Sequence, residues 1–220
     1  MAFAVLCAVT LLIRARVIGS TPAPSFPLQF SANLEITAHL ISPDSEYPPR
    51  VRRMSIYYDY VNKLARAELE SGYEAAKVYI RRYDQNNEYM VRLPPIHDCK
   101  RSYLGEVMPF PDIPEADFVG EEVLSDTGIR VNHFVHDDFE TRIHVYMSAS
   151  DGSPVRLIQE SVDEEDEISS AILTYDYSDV VLGAPDSSWF ELPDEFDHKS
   201  CVRHIGGFPY LHVFHYFVRF

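Results

Sequence analysis

Two histidine pairs share a spacing of three, His133-Phe-Val-His136 and His212-Val-Phe-His215. Imidazoles so spaced can ligate one metal ion from a helix, but on a strand residues three apart point to opposite faces. A shared metal would therefore require these segments to be helical, and no metal site is expected. Asp137 and Asp138 beside His136 have the chemistry of an acid/base pair, yet no nucleophile or oxyanion donor accompanies them. The acidic run Glu160-Ser-Val-Asp-Glu-Glu-Asp-Glu167 offers carboxylates for calcium but lacks the alternating ligands and the glycine of an EF-hand loop. Like charges repel and stay in water, so this run reads as a solvated hairpin tip. No catalytic residue and no cofactor is assigned, and the chain is expected not to be an enzyme.

The remaining reactive side chains are cysteines. Residues 1–20 carry an apolar run of the length of a signal-peptide core, with small residues at Gly19 and Ser20 for cleavage. Cys7 would leave with that segment, and Cys99 and Cys201 would remain. In an oxidising compartment they can close a long loop; two unrelated buried thiols are the alternative. Neither lies in a Cys-x-x-Cys, so redox catalysis and structural zinc have no support. The expected location is secreted or lumenal. Thirty-four acidic against nineteen basic residues give a net charge of −15, which repels phosphate backbones and anionic headgroups, so nucleic acid is not an expected partner.

Strand patterns dominate the elements that must position these residues. Asp151-Gly152 lies between 142–150 and 153–159, both rich in β-branched and aromatic residues, and Asp-Gly suits the positive φ angles of a tight hairpin turn. A further β segment runs over 171–193, closing on Trp189-Phe-Glu-Leu-Pro193, with Trp189 expected to cap the core. Earlier in the chain, 26–41, 51–60, 63–69, 76–83 and 88–93 read as strands, separated by a Pro-rich turn at 43–49 and by turns at 61–62 and 84–87. Within 63–69, Ala65, Ala67 and Leu69 form the apolar face and Leu64, Arg66 and Glu68 the other. Prolines at 109, 111 and 114 exclude a helix or a central strand from 104–117. That segment is a loop bearing Met108, Phe110 and Ile113, able to fold over a sheet as cover or to run as an ordinary surface connection. The expected fold is mainly β, a curved antiparallel sheet forming a half-open barrel with loop or short helical cover.

The order of these elements resembles a known group. A secretory leader, a long first strand, the Tyr-rich Ile56-Tyr-Tyr-Asp-Tyr60 turning into Arg66-Ala67-Glu68, a late Asp-Gly-Ser-Pro hairpin and a closing Phe190-Glu-Leu-Pro193 are similar to the LolA-like and ependymin-related domains over about residues 28–201. The resemblance implies a half-open barrel that holds a lipid or another apolar ligand. A related domain precedes the catalytic part of some papain-type cysteine proteases, and Cys201 with Gly206-Gly-Phe-Pro209 fits that pattern, although no Cys-Gly-Ser-Cys-Trp stretch follows.

Two readings result. In the first, the chain is a secreted binding protein: 1–20 a signal peptide, 21–203 a LolA-like β domain and 204–220 an apolar tail. Alternation then suggests that Tyr57, Tyr79, Tyr146 and Leu173 line the sheet interior, with Met108 and Phe110 reaching it from the loop. In the second, the chain is a non-catalytic amino-terminal interaction domain of a papain-like protease, and its apolar tail meets a protein partner.

Overall fold

The strand that begins the domain ends up in the middle of its sheet. β1 (Gln29–Ala38) pairs antiparallel with β2 (Val51–Asp59) on one side and with β11 (Ile168–Leu182) on the other. From β2 the chain meanders outward through β3 (Leu64–Leu69), β4 (Lys77–Arg82), β5 (Asn87–Arg92) and β6 (Asp98–Tyr103). It then crosses to the far edge, β7 (Asp117–Val123), and returns through β8 (Arg130–Asp138), β9 (Thr141–Ser148) and β10 (Pro154–Asp163) to β11. A two-residue strand, β12 (Val202–Arg203), adds in parallel to β6. The computed structural model describes residues 23–46, 49–69, 76–113, 115–138, 141–163 and 168–208, and among these the twelve strands form a single sheet. The leader expected at 1–20, most of the tail including His212 and His215, and 164–167 of the acidic run lie outside the described residues.

Alternation decides which side of each strand is dry. Phe30, Ala32 and Leu34 of β1, Met54, Ile56 and Tyr58 of β2, and Ala65, Ala67 and Leu69 of β3 all enter one core. Ile143, Val145 and Met147 of β9 and Tyr175 and Tyr177 of β11 join them from the other half of the sheet. Residues directly opposite on paired strands share a face, so this core lies on one side of the sheet. A second, smaller core lies on the reverse side, where Val78, Ile80, Tyr89 and Val91 of β4 and β5 meet Leu192 and Phe196. Strands β4 and β5 are therefore buried on both faces, which accounts for their nearly continuous apolar runs.

The chain end wraps this arrangement. After β11, residues 187–190 form a 3₁₀ turn rather than the expected closing strand. Gly183 at φ 109 breaks the ladder, and Asp186 caps the turn by accepting from Ser188 N at 2.8 Å. The segment then crosses the back of the sheet to Cys201, which is disulfide-bonded to Cys99 of β6. It rounds the β6 edge as β12, and Phe208 turns into the main core, 6.1 Å from the Tyr79 ring. Trp189 does not cap the main core: it is partly exposed on the reverse face, stacked on Tyr57 at 4.5 Å.

Candidate ligand site

The link from β6 to β7 crosses the sheet, because β7 is one edge and β6, flanked only by the two-residue β12, lies at the other side. Described residues 104–113, 115 and 116 lie on that crossing over the main apolar face, and Leu104, Met108 and Ile113 are buried against it. Prolines keep the crossing chain out of the sheet, and it is held by a few bonds instead. Phe26 N donates to Pro111 O at 2.8 Å, Ile113 N to Pro24 O at 3.3 Å, and the Tyr58 hydroxyl to Pro109 O at 3.0 Å. Burial pushes the Tyr58 phenol well above its ordinary pKa, so it stays protonated and able to donate.

At its start the strap is tied by charge. Arg81 of β4 donates to Glu106 at 2.7 Å and to the Tyr83 hydroxyl at 3.0 Å, and lies 3.3 Å from Glu88 directly across on β5. Glu88 is 1% exposed and also accepts from Phe208 N at 3.1 Å. Burial raises the Glu88 pKa, and the Arg81 guanidinium works against that rise. One buried guanidinium thus joins the strap to β5, and Glu88 joins the chain end to the same point.

Beside this anchor a cleft of 260 Å³ opens between the strap and the strand ends. Lys63, Tyr83, Asn86, Tyr103, Glu106, Val107 and Met108 line it. Met108 belongs to both the cleft wall and the main core, so it separates the opening from the dry face behind. A second cavity of 300 Å³ lies on the reverse face, where His198 bridges Tyr89 and Arg101.

Of the six side chains expected to line the interior, Tyr79, Met108 and Leu173 lie on the apolar face, and Phe110 lies at its rim, its ring edge-on to Tyr60 at 5.2 Å. Tyr57 and Tyr146 lie on the opposite face, contrary to that expectation. Tyr57 shares its parity with Arg53 and Ser55, while Met54, Ile56 and Tyr58 are the buried set. Likewise Tyr146 keeps company with Arg142 and His144, and Ile143, Val145 and Met147 turn inward. Each is an aromatic residue on a polar face, and the parity of its neighbours is the signal that places it there. Lys63, Tyr103, Glu106 and Val107 escape a reading of the sequence because the strap brings them together from distant parts of the chain.

The histidines divide as strand geometry requires. His136 is buried, whereas His133 sits on the reverse face in a row across four strands. Glu122 lies 3.2 Å from His133 Nδ1, His133 Nε2 lies 2.9 Å from His144 Nδ1, and His144 Nε2 lies 3.3 Å from Glu160. Among the described residues no group of three or more His, Cys, Asp or Glu side chains, this row included, is arranged to hold a metal ion.

No family model and no curated relative matches the sequence. Among solved structures, an uncharacterised conserved protein from Thermus thermophilus is similar at a TM-score of 0.52 and 13% identity, over 82% of this chain and 91% of that one. The common property is the fold. The MucA/MucB complex of Pseudomonas aeruginosa aligns at a TM-score of 0.48 and 10% identity, over 76% of this chain and 56% of that one. A Vibrio parahaemolyticus domain described as a putative outer membrane lipoprotein-sorting protein aligns at a TM-score of 0.32 and 10% identity, over 73% and 88% respectively. The chain is thus mainly β, built on one large antiparallel sheet that it shares with the Thermus protein. No helix among the described residues is long and apolar enough to cross a membrane.

Proposed function

We propose that this protein is a non-catalytic carrier that holds a lipid or another apolar molecule between the main face of its sheet and the strap at 104–116, in an extracellular or lumenal compartment. The observation that carries the reading is the strap itself. An apolar sheet face is covered by a proline-rich segment that forms no ladder with it and rests on it chiefly through Leu104, Met108 and Ile113. Cover of this kind can shift without breaking a sheet, and the cleft beside Met108 is its opening. The Cys99 and Cys201 bond fits an oxidising compartment.

Native mass spectrometry of the full chain, expressed through a secretory route, tests the reading. A stoichiometric apolar ligand released on denaturation is the expected result. A protein that emerges empty and takes up neither a fatty acid nor a phospholipid on incubation is no carrier.

A further inference from the structure

The register chain from Phe30 opposite Leu182, through Gln29 opposite Asp59 and Asp59 opposite Leu64, to Asn87 opposite Tyr103 brings the corresponding strand ends to one rim of the sheet. That rim is apolar. Val181 is 62% exposed, Val61 59% and Tyr103 74%, and Leu28 and Leu182 stand between them. The strap adds Val107, 87% exposed, and Phe110 against Tyr60. Single exposed apolar residues are ordinary on a protein surface; a set gathered along one rim marks a contact surface.

Charge selects the occupant. In a chain of net charge −15, three carboxylates along this rim are paired internally. Asp59 accepts from Gln29 at 2.9 Å and from Asn62 at 2.7 Å, Asp84 is paired with Arg82 at 2.9 Å, and Glu106 with Arg81 at 2.7 Å. The cation at the rim, Lys63, lies with its ammonium 3.2 Å from the centroid of the Tyr60 ring. Aliphatic tips, aromatic rings and a lysine lying along them are the composition that settles at the boundary of a bilayer. The acidic remainder of the chain repels anionic headgroups, which leaves an uncharged lipid surface.

We infer that this rim docks on zwitterionic lipid surfaces, placing the cleft beside Met108 at the bilayer so that the apolar ligand passes between membrane and sheet. The inference rests on the carrier reading for its cargo but not for its contact. The test is flotation of the full chain with phosphatidylcholine vesicles, using the wild type, Val107→Glu and Val181→Glu. Both valines are largely exposed, so neither change disturbs the core, and circular dichroism checks this. The wild type should float, each substitution should weaken binding about tenfold, and anionic lipid in the vesicles should weaken it further. Wild-type protein that stays in the aqueous fraction, variants that float as well as wild type, or a rim-dependent self-association of the protein in sedimentation overturns the inference. Flotation of a protein that carries no ligand in native mass spectrometry supports the docking rim while removing the carrier reading. Ligand retained in Val181→Glu, which lies outside the cleft lining, when that variant no longer floats supports both.

Discussion

His133 Nε2 lies 2.9 Å from His144 Nδ1, with ring centroids 5.1 Å apart and ring planes 26° from parallel, so the two imidazoles meet end to end. A hydrogen bond between them needs one nitrogen protonated and the other bare. Glu122 at the outer nitrogen of His133 assigns the proton there to Nδ1, which leaves Nε2 to accept from His144 Nδ1. In this arrangement a proton added at His133 Nε2 would set two N–H groups against each other.

Burial holds the His133 imidazole below the ordinary histidine range, with His144 adding to the effect and Glu122 opposing it. A group whose folded pKa is depressed contributes stability above its unfolded pKa and loses it as pH falls. Urea unfolding at a series of pH values should therefore show stability decreasing as pH drops through about 6.5, the unfolded histidine value. His133→Gln should flatten this dependence; an unchanged slope in the variant would show that His133 does not contribute to it.

Arg81→Met should be severely destabilising. It leaves Glu88 buried without its cation and releases Glu106 of the strap, a loss of about 3–5 kcal/mol in urea unfolding. Because burial raises the Glu88 pKa, the loss should be smaller at pH 4, where the carboxyl takes up a proton, than at pH 7. The double variant with Glu88→Gln should recover part of the stability at pH 7, and equal losses at both pH values would place the defect elsewhere.

Cys99 and Cys201 are separated by 102 positions, and their bond fastens the reverse-face segment to β6. Replacing both by alanine should cost about 2–5 kcal/mol through the unfolded chain. The single tryptophan reports the same event, since Trp189 stacks on Tyr57 and its carbonyl accepts from Arg66 at 2.6 Å. Reduction should bring a change in Trp189 emission before global unfolding if this segment loosens first; emission that changes only with the far-ultraviolet signal would mean that it does not.

Met108→Ala removes the side chain between cleft and core. A core truncation of this kind costs about 2–5 kcal/mol and leaves space behind it. In a carrier, that space should accept an added fatty acid and restore thermal stability as ligand concentration rises. A midpoint that does not respond to ligand in either wild type or variant would argue against a site under the strap.

The pattern of residues was sufficient for much of the sheet. Alternation in 51–60 and 63–69, the Asp151-Gly152 turn with Gly152 at φ 70, and the prolines that keep 104–113 out of the sheet are local properties, and each appears where the sequence places it, although Asp117, expected in the same loop, instead opens β7. Strands β6, β7 and β8 were not legible in the same way. Asp98–Tyr103 is mostly polar because one face of it takes the chain end and the disulfide, and Asp117–Val123 is an exposed edge with no dry side to mark it. The tail boundary at 204 likewise did not anticipate Phe208 in the main core.

What the sequence determined by itself was therefore the strand period, the turns and the non-regular strap, which follow from steric and hydrogen-bonding preferences acting over a few residues. Only the tertiary structure decided which aromatic residues face the strap, that Arg81 joins Glu88 to Glu106, and that Leu28, Val61, Tyr103, Val107 and Val181 share a rim. Those relations depend on pairing register and on a crossing that brings positions far apart in the chain together. Shifting a strand by a single residue would turn Tyr57 inward and Ile56 outward.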